Sequence, residues 1–289
     1  MSDIRIGVVG GSGLYQMEGM KVLEERRLET PFGDPSDAYL VGELEGRRIA
    51  FLPRHGRGHR LLPTELNYRA NIFGFKLLGV ERLISVSAVG SLKIDYKPTD
   101  ILVPDQFFDR TRHRVDTFFG NGLVAHVSLA KPICPHLLEV AVGAARQAGA
   151  TVHKGGTYVN MEGPQFSTRA ESEVYRGLGM DVIGMTNLTE ARLAREAEIC
   201  YVSLSMITDY DCWHETEEAV SGEAVMEVIR QNVAMAQEVV RRALLAIPAG
   251  DDRTCLCAEA LRYALITERA VVPEATRKAL APLIGRYMQ

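Results

Sequence analysis

The 289-residue chain lacks the features that mark most special environments. It has only five cysteines (Cys134, Cys200, Cys212, Cys255, Cys257), with no C-x-x-C pair and no histidine at zinc-finger spacing. That pattern argues against a disulfide framework and against a structural zinc, and the C-x-C at Cys255 and Cys257 reads as two free thiols in a tail. No apolar run reaches the length of a membrane span. The opening MSDIRIGVVGG has neither the basic flank nor the apolar stretch of a secretory signal, so a cytoplasmic protein is expected. Neither sign of charge dominates: 33 Lys and Arg stand against 37 Asp and Glu, a net charge of -4. No global field therefore gathers nucleic acid or an anionic membrane, and any anion bound has to be held by a local pocket. Internal repeats, low-complexity tracts and long linkers are missing before about residue 248, which makes one domain the economical reading.

What is present is an α/β pattern. With 46% apolar and 24% charged residues the composition is that of a folded globular chain. Short β-branched runs over 4–9, 48–52, 82–88, 101–104, 157–160, 181–185 and 200–207 alternate with segments of helical period over 64–78, 135–147, 168–178, 188–196 and 222–247. In the last of these, apolar residues recur three or four apart and Ser221 sits where an N-cap belongs. The division expected is a catalytic unit over 1–248 and a C-terminal helical extension over 249–289 of the same domain, with helices over 257–267 and 274–287.

The chemistry-bearing residues follow the strands. Gly10-Gly11-Ser12-Gly13 after the first strand can bring backbone N–H groups and the Ser12 hydroxyl to an anion. It fails the dinucleotide fingerprint, because Gln16 stands three after Gly13, and the Walker Lys-Ser/Thr pair is missing. The next strand runs into Pro53-Arg54-His55-Gly56-Arg57-Gly58-His59-Arg60, two histidines and three arginines in eight residues, where guanidinium forks match phosphate and a histidine adds a donor. Ser87-Ala88-Val89-Gly90-Ser91 is a third small-residue turn. Phe166 can stack on a base, and Asp209 and Asp211, two apart at a strand end, can face a polar heterocycle edge. Ligands of α/β sheets bind beyond strand C-termini, so these turns can converge on one crevice.

The strings GGSGLY, TPFGDPSD, RHGRGHRLLPTELNYRAN, SAVGSL, DQFFDRT, EGPQFSTRAES, DVIGMTN and TDYDCWHETEEAVS occur in that order between about residues 4 and 245. Together they resemble the 5'-methylthioadenosine phosphorylases of the trimeric purine nucleoside phosphorylase superfamily. The resemblance implies a nucleoside phosphorylase-like fold, a mixed β-sheet flanked by helices. It implies a phosphate site of Ser12, Arg54, His55, Ser87, Ala88 and Thr186, with Met185 under the ribose. Phe166, Ser167, Asp209 and Asp211 would hold adenine, and Val225 and Met226 would line the thiomethyl pocket. His126 would be lent to the neighbouring subunit's site in a homotrimer or a dimer of trimers. The position of Gly184 carries a polar side chain in other members. The reaction implied is phosphorolysis of 5'-methylthioadenosine, with inorganic phosphate as co-substrate and no metal or organic cofactor.

Two carboxylates suit an aminopurine. Adenine offers an N7 acceptor beside an N6 donor, so a neutral carboxyl that donates to N7 and accepts from N6 satisfies both, and Asp209 is the expected donor with Asp211 steering the amine. An unperturbed aspartate is protonated at pH 7 only about once in a thousand, roughly 4 kcal/mol against it, a deficit that burial beside a second carboxylate reduces. A 6-oxopurine presents two acceptors and would be disfavoured. The alternatives are a methylthioinosine or general purine nucleoside phosphorylase, and a non-catalytic purine-binding protein.

Overall fold

The computed structural model describes residues 4–11, 14, 17, 19–214, 222–248 and 253–289, and of 222–227, 229 and 231 the backbone alone. Eleven strands form one mixed sheet: β1 (Ile6–Gly10), β2 (Lys21–Arg26), β3 (Tyr39–Leu44), β4 (Arg47–Pro53), β5 (Arg82–Ser91), β6 (Ile101–Val103), β7 (Gln106–Arg110), β8 (Val152–Lys154), β9 (Thr157–Met161), β10 (Val182–Gly184) and β11 (Cys200–Asp209). The helices are α1 (Tyr68–Leu77), α2 (Pro135–Gln147), α3 (Arg169–Gly177), α4 (Asn187–Glu196), α5 (Gly222–Ala246), α6 (Glu274–Ala279) and α7 (Ala281–Ile284).

The sheet runs β2-β3-β4-β1-β5-β10-β9-β7, with β11, β6 and β8 branching from β5. Its centre, β1, β5 and β11, is parallel and carries the near-continuous apolar runs that such buried strands need. The elements that escape the sequence reading are β2, β3, β7 and β8. Among them, β2 (KVLEER) and β7 (QFFDR) close the two ends of the main path and carry the charged, exposed residues that blunt a sheet edge. Helix ends are closer to expectation: α2 covers the predicted span, and α3 begins after Thr168, which with Glu171 forms a reciprocal capping box.

The extension departs from its expected form. Residues 257–267 are not a helix. A 3-10 turn at Leu256–Glu259 gives way to a segment that pairs with the 118–126 loop, Ile266 N–H donating to Val124 O and His126 N–H to Ala264 O. Residues 274–287 break into α6, α7 and a 3-10 turn, since Pro282 has no N–H to continue the ladder and starts a new helix at Ala281. Leu261, Ala264, Val272, Leu280, Leu283 and Ile284 join the main core, so the extension packs on its own chain. Cys255 and Cys257 are likewise not in a free tail: they lie against Cys134 and Cys200, with Cys257 buried. Among the described residues, no helix is long and apolar enough to cross a membrane.

Candidate active site

A break in the sheet makes the site. The register of β1 on β5 stops at Val9↔Ser85, and that of β10 on β5 starts at Gly90↔Ile183. Between them, residues 86–89 have β11 on one side and, among the described residues, no strand on the other. A cavity of about 520 Å³ opens there, lined by Gly11, Arg54, His55, Ser87, Ala88, Phe166, Met185, Thr186, Asp209 and Asp211 with flanking apolar residues. The C-terminal ends of β1 and β4 on one side, and of β9 and β10, which run antiparallel to β5, on the other, meet here beside the open edge of β5 and the end of β11.

At one wall stands Arg54, buried at 2% exposure directly after β4, its N–H bonded to Gly10 O. A guanidinium taken out of water needs anions and acceptors around it. Nε and Nη2 donate to Glu190 of α4 at 2.5 and 3.3 Å, Nη2 also to Ser85 Oγ at 2.6 Å, and Nη1 to Val86 O at 3.0 Å. Desolvation opposes the charge, but Glu190 outweighs it and Arg54 stays a cation. Glu190 is itself held by Ser85 Oγ and Tyr201 Oη, and Asn187 ties Ser85, Tyr201 and Ser203 into the same buried network. Ser87 donates to Asn187 Oδ1 at 2.8 Å, so its hydroxyl is already oriented by this network. Thr186 closes the wall at the N-terminus of α4, an end whose partial positive charge favours an anion.

His55 differs from the sequence expectation. Its Nδ1 lies 2.8 Å from Leu61 O, and a carbonyl only accepts, so Nδ1 carries the proton. Burial and the neighbouring Arg54 push the imidazole down to about 4, which makes it neutral at pH 7 and leaves Nε2 an acceptor rather than the extra donor expected. Its ring stacks on His59 with centroids 4.4 Å apart. Arg57 turns away from the cavity to Asp37 and Glu25, so three arginines in sequence do not make a three-arginine site.

Opposite in character is the wall at the end of β11. A β-bulge at Thr208 re-aims the strand and lays Asp209 against Gly90, where an added Cβ would stand 2.9 Å from Asp209 Oδ1 and 3.3 Å from Asp211 Cβ. Asp209 Oδ1 accepts from Asp211 N–H at 2.8 Å and Oδ2 from Thr208 Oγ1 at 2.7 Å. Asp211 has φ 48, a left-handed turn locked by Trp213, whose Nε1 donates to Ser91 O at 2.7 Å under the guanidinium of Arg176. Burial raises the Asp211 carboxyl above its ordinary range, against the nearby Ser172, Cys212 N–H and Ser167. Among the described residues, its Oδ2 is buried with no partner in hydrogen-bonding geometry.

Between the walls lies Met185. Gly163, at φ 69, passes so close that a Cβ would meet Met185 Sδ at 2.5 Å. The glycine at 184 also has a local cause. A Cβ there would stand 2.0 Å from Tyr158 Oη, so the phenol of β9 fills the space a side chain at 184 would take. Phe166 reaches the cavity while 42% exposed, an aromatic face at its mouth.

Of the expected site residues, Arg54, His55, Ser87, Ala88, Phe166, Met185, Thr186, Asp209 and Asp211 line this cavity. Ser167 stands behind it, next to Asp211, with its carbonyl accepting from Cys212 Sγ. His126 is not in it but on an exposed loop held by the extension. Ser12 and the side chains of Val225 and Met226 lie outside the described residues, although Asn232, Val233 and Ala236 of the same α5 line the cavity. The sequence reading missed Glu190, Asn187, Ser85 and Tyr201. Glu190 offered a signal, as an acid in the first turn of a helix, but that is equally the mark of a solvated face.

Residues 5–245 match the family model of the phosphorylase superfamily. An S-methyl-5'-thioadenosine phosphorylase of Koribacter versatilis is 58% identical over 282 residues, covering 98% of this chain and 96% of the relative. One of Geobacter sulfurreducens is 58% identical over 284 residues, 98% and 99% of the two chains. Among solved structures, a methylthioadenosine phosphorylase from an antarctic soil metagenomic library superposes with a TM-score of 0.93 at 47% identity, covering 98% of this chain and 99% of its own.

Proposed function

The chain belongs to the S-methyl-5'-thioadenosine phosphorylases of the phosphorylase superfamily, and on that premise we propose that it cleaves 5'-methylthioadenosine with inorganic phosphate, giving adenine and 5-methylthioribose 1-phosphate. The observation that carries this reading is the sharing of one cavity by the buried guanidinium of Arg54 and an aspartate pair, of which Asp211 is buried and Asp209 partly so.

Phosphorolysis passes through a ribosyl cation-like transition state, in which phosphate closes on C1' as the base departs with growing negative charge. Arg54, the open edge of β5 at Ser87 and Ala88, which is strand and not the turn expected from sequence, and the Thr186 end of α4 would hold the phosphate, whose own charge stabilises the cation. With Nδ1–H spent on Leu61, His55 would accept at Nε2 a hydrogen bond from the P–O–H group of hydrogen phosphate and so turn the charged oxygens toward the cationic groups.

At the base the two aspartates would take the reverse of the roles expected from sequence. Asp211, raised by burial, is the carboxyl suited to hold a proton for N7. Asp209, whose oxygens already accept two hydrogen bonds, faces the 6-amino group as an acceptor. Phe166 would cover the ring and Met185 the ribose, with Ser167 supporting Asp211. Val225 and Met226 would receive the thiomethyl group, and the reaction would need no metal or organic cofactor. His126 would complete a neighbour's site in a homotrimer, an assembly to which the exposed Leu256, Tyr263 and Ile266 of the extension are suited. The setting would be the cytoplasm.

A product assay tests the proposal. Adenine should appear from methylthioadenosine only when phosphate is added, and methylthioinosine and inosine should be poor substrates. Tight nucleoside binding without turnover would instead mark a non-catalytic binding protein.

A further inference from the structure

Cys134, Cys200, Cys255 and Cys257 come from three distant parts of the chain, yet their sulfurs all lie within 4.8 Å of one another. Cys134 caps α2, Cys200 opens β11, and Cys255 and Cys257 flank the start of the 3-10 turn of the extension. The sulfur of Cys255 is 3.3 Å from that of Cys200 and 3.7 Å from that of Cys134. A disulfide would need about 2.05 Å. A zinc ion with four sulfurs at about 2.3 Å sets them tetrahedrally about 3.8 Å apart, close to the spacing found.

We propose that these four cysteines form a tetrathiolate site for a single zinc ion, clamping the C-terminal extension to the sheet. The surroundings suit thiolates. The Leu137 and Cys257 N–H groups stand against the sulfurs of Cys134 and Cys255, and the N-terminal end of α2 offsets negative charge. Cys134, Cys200 and Cys257 are 1–2% exposed and Cys255 is half-buried, which gives a closed structural site with an entry side. The site is separate from the cavity, none of whose lining residues is a cysteine. Its consequence runs through the chain: the extension it fastens donates and accepts the hydrogen bonds that hold the loop of Val124 and His126.

The test is metal content. The full-length protein, purified under reducing conditions without chelator from zinc-supplemented medium, should hold about one zinc per chain by plasma mass spectrometry. Cys200→Ser and Cys257→Ser should each lose most of it. Because a serine variant can also fail by misfolding, wild-type protein exchanged into cobalt(II) gives an independent readout. Tetrahedral thiolate ligation should produce strong visible d–d bands and near-ultraviolet sulfur-to-cobalt charge transfer. In native zinc-loaded protein only Cys212 should react with a thiol reagent, and all five thiols should react once a chelator and denaturant are added. Reduced wild-type protein that retains less than about a tenth of an equivalent after incubation with excess zinc would overturn the proposal. So would intact masses showing two disulfides in anaerobically purified protein.

Discussion

Glu190 grips Arg54 with both carboxylate oxygens, Oε1 at 2.5 Å from Nε and Oε2 at 3.3 Å from Nη2, and each side chain is only 3% exposed. The cation that faces the cavity is therefore a positioned group rather than a mobile one. Removing its partner leaves a buried unpaired charge, so Glu190→Ala should cost about 3–5 kcal/mol of stability, read from denaturant midpoints. Glu190→Gln keeps the volume and loses the ionic fork. It should raise the KM for phosphate about tenfold, an effect of roughly 1.4 kcal/mol, with the KM for the nucleoside nearly unchanged. A folded Glu190→Gln enzyme with an unaltered phosphate KM would remove this role.

The two aspartates should separate by experiment. If Asp211 supplies the proton to N7, Asp211→Asn should lower kcat by about 10²- to 10⁴-fold. In the wild type, activity should be present below the raised Asp211 pKa and fall as pH climbs through it, a limb that the Asn variant loses. Asp209→Asn acts on choice instead of rate, since an amide can donate to a 6-oxo group. The ratio of methylthioinosine to methylthioadenosine turnover should rise by at least about tenfold. Equal effects of both substitutions on both readouts would return the assignment to an undivided pair.

Tyr158 and Gly184 occupy one space. Gly184→Ala drives a methyl into the phenol, with Cζ at 2.6 Å as well as Oη at 2.0 Å, and should cost about 1–3 kcal/mol as overpacking does. Because Met185 and Thr186 follow directly, kcat/KM should fall too. Tyr158→Phe added to Gly184→Ala should recover part of the stability but not all of it, since the ring carbon must still move. Thermal melts of the two single variants and the double variant measure this.

Glu196 gives a pH signature away from the cavity. It is 7% exposed and accepts from Phe118 N–H and Thr117 Oγ1 at 2.8 Å, yet burial wins and pushes its carboxyl up to about 7. A folded pKa above the unfolded value means that the native state holds the proton longer. The contribution is full below the ordinary value near 4.5 and is lost as pH rises through about 7. Over that window the loss should be on the order of 3 kcal/mol. Glu196→Gln should flatten this slope in denaturation curves taken between pH 5 and 8. A slope that persists in the variant would place the titration elsewhere.

The legible parts of this fold are those where local pattern and tertiary demand agree. β1, β5 and β11 are apolar because both faces are covered, and the site stands out because β1 runs into a glycine and β5 itself carries the small residues Ser87 to Ser91. β2 and β7 are unreadable for the opposite reason, since an edge strand spends its side chains on water and looks like a loop. Asn187 and Glu190 have the composition of an exposed helix face, and only the approach of Ser85, Arg54 and Tyr201 turns them inward. The cysteine cluster shows locally only as the C-x-C at Cys255 and Cys257, and its partners Cys134 and Cys200 are brought to it by the winding of the chain. His55 was found by type but not by role, because its proton is fixed by a carbonyl six residues away.

The crevice beside residues 86–89 exists because one strand stops early and another begins late. A bound nucleoside and its phosphate would then act as a keystone, supplying contacts to a seam that runs into the middle of the molecule. Catalytic competence and the cohesion of the central sheet would be coupled at this seam, so that substrates tighten the very scaffold that aligns them.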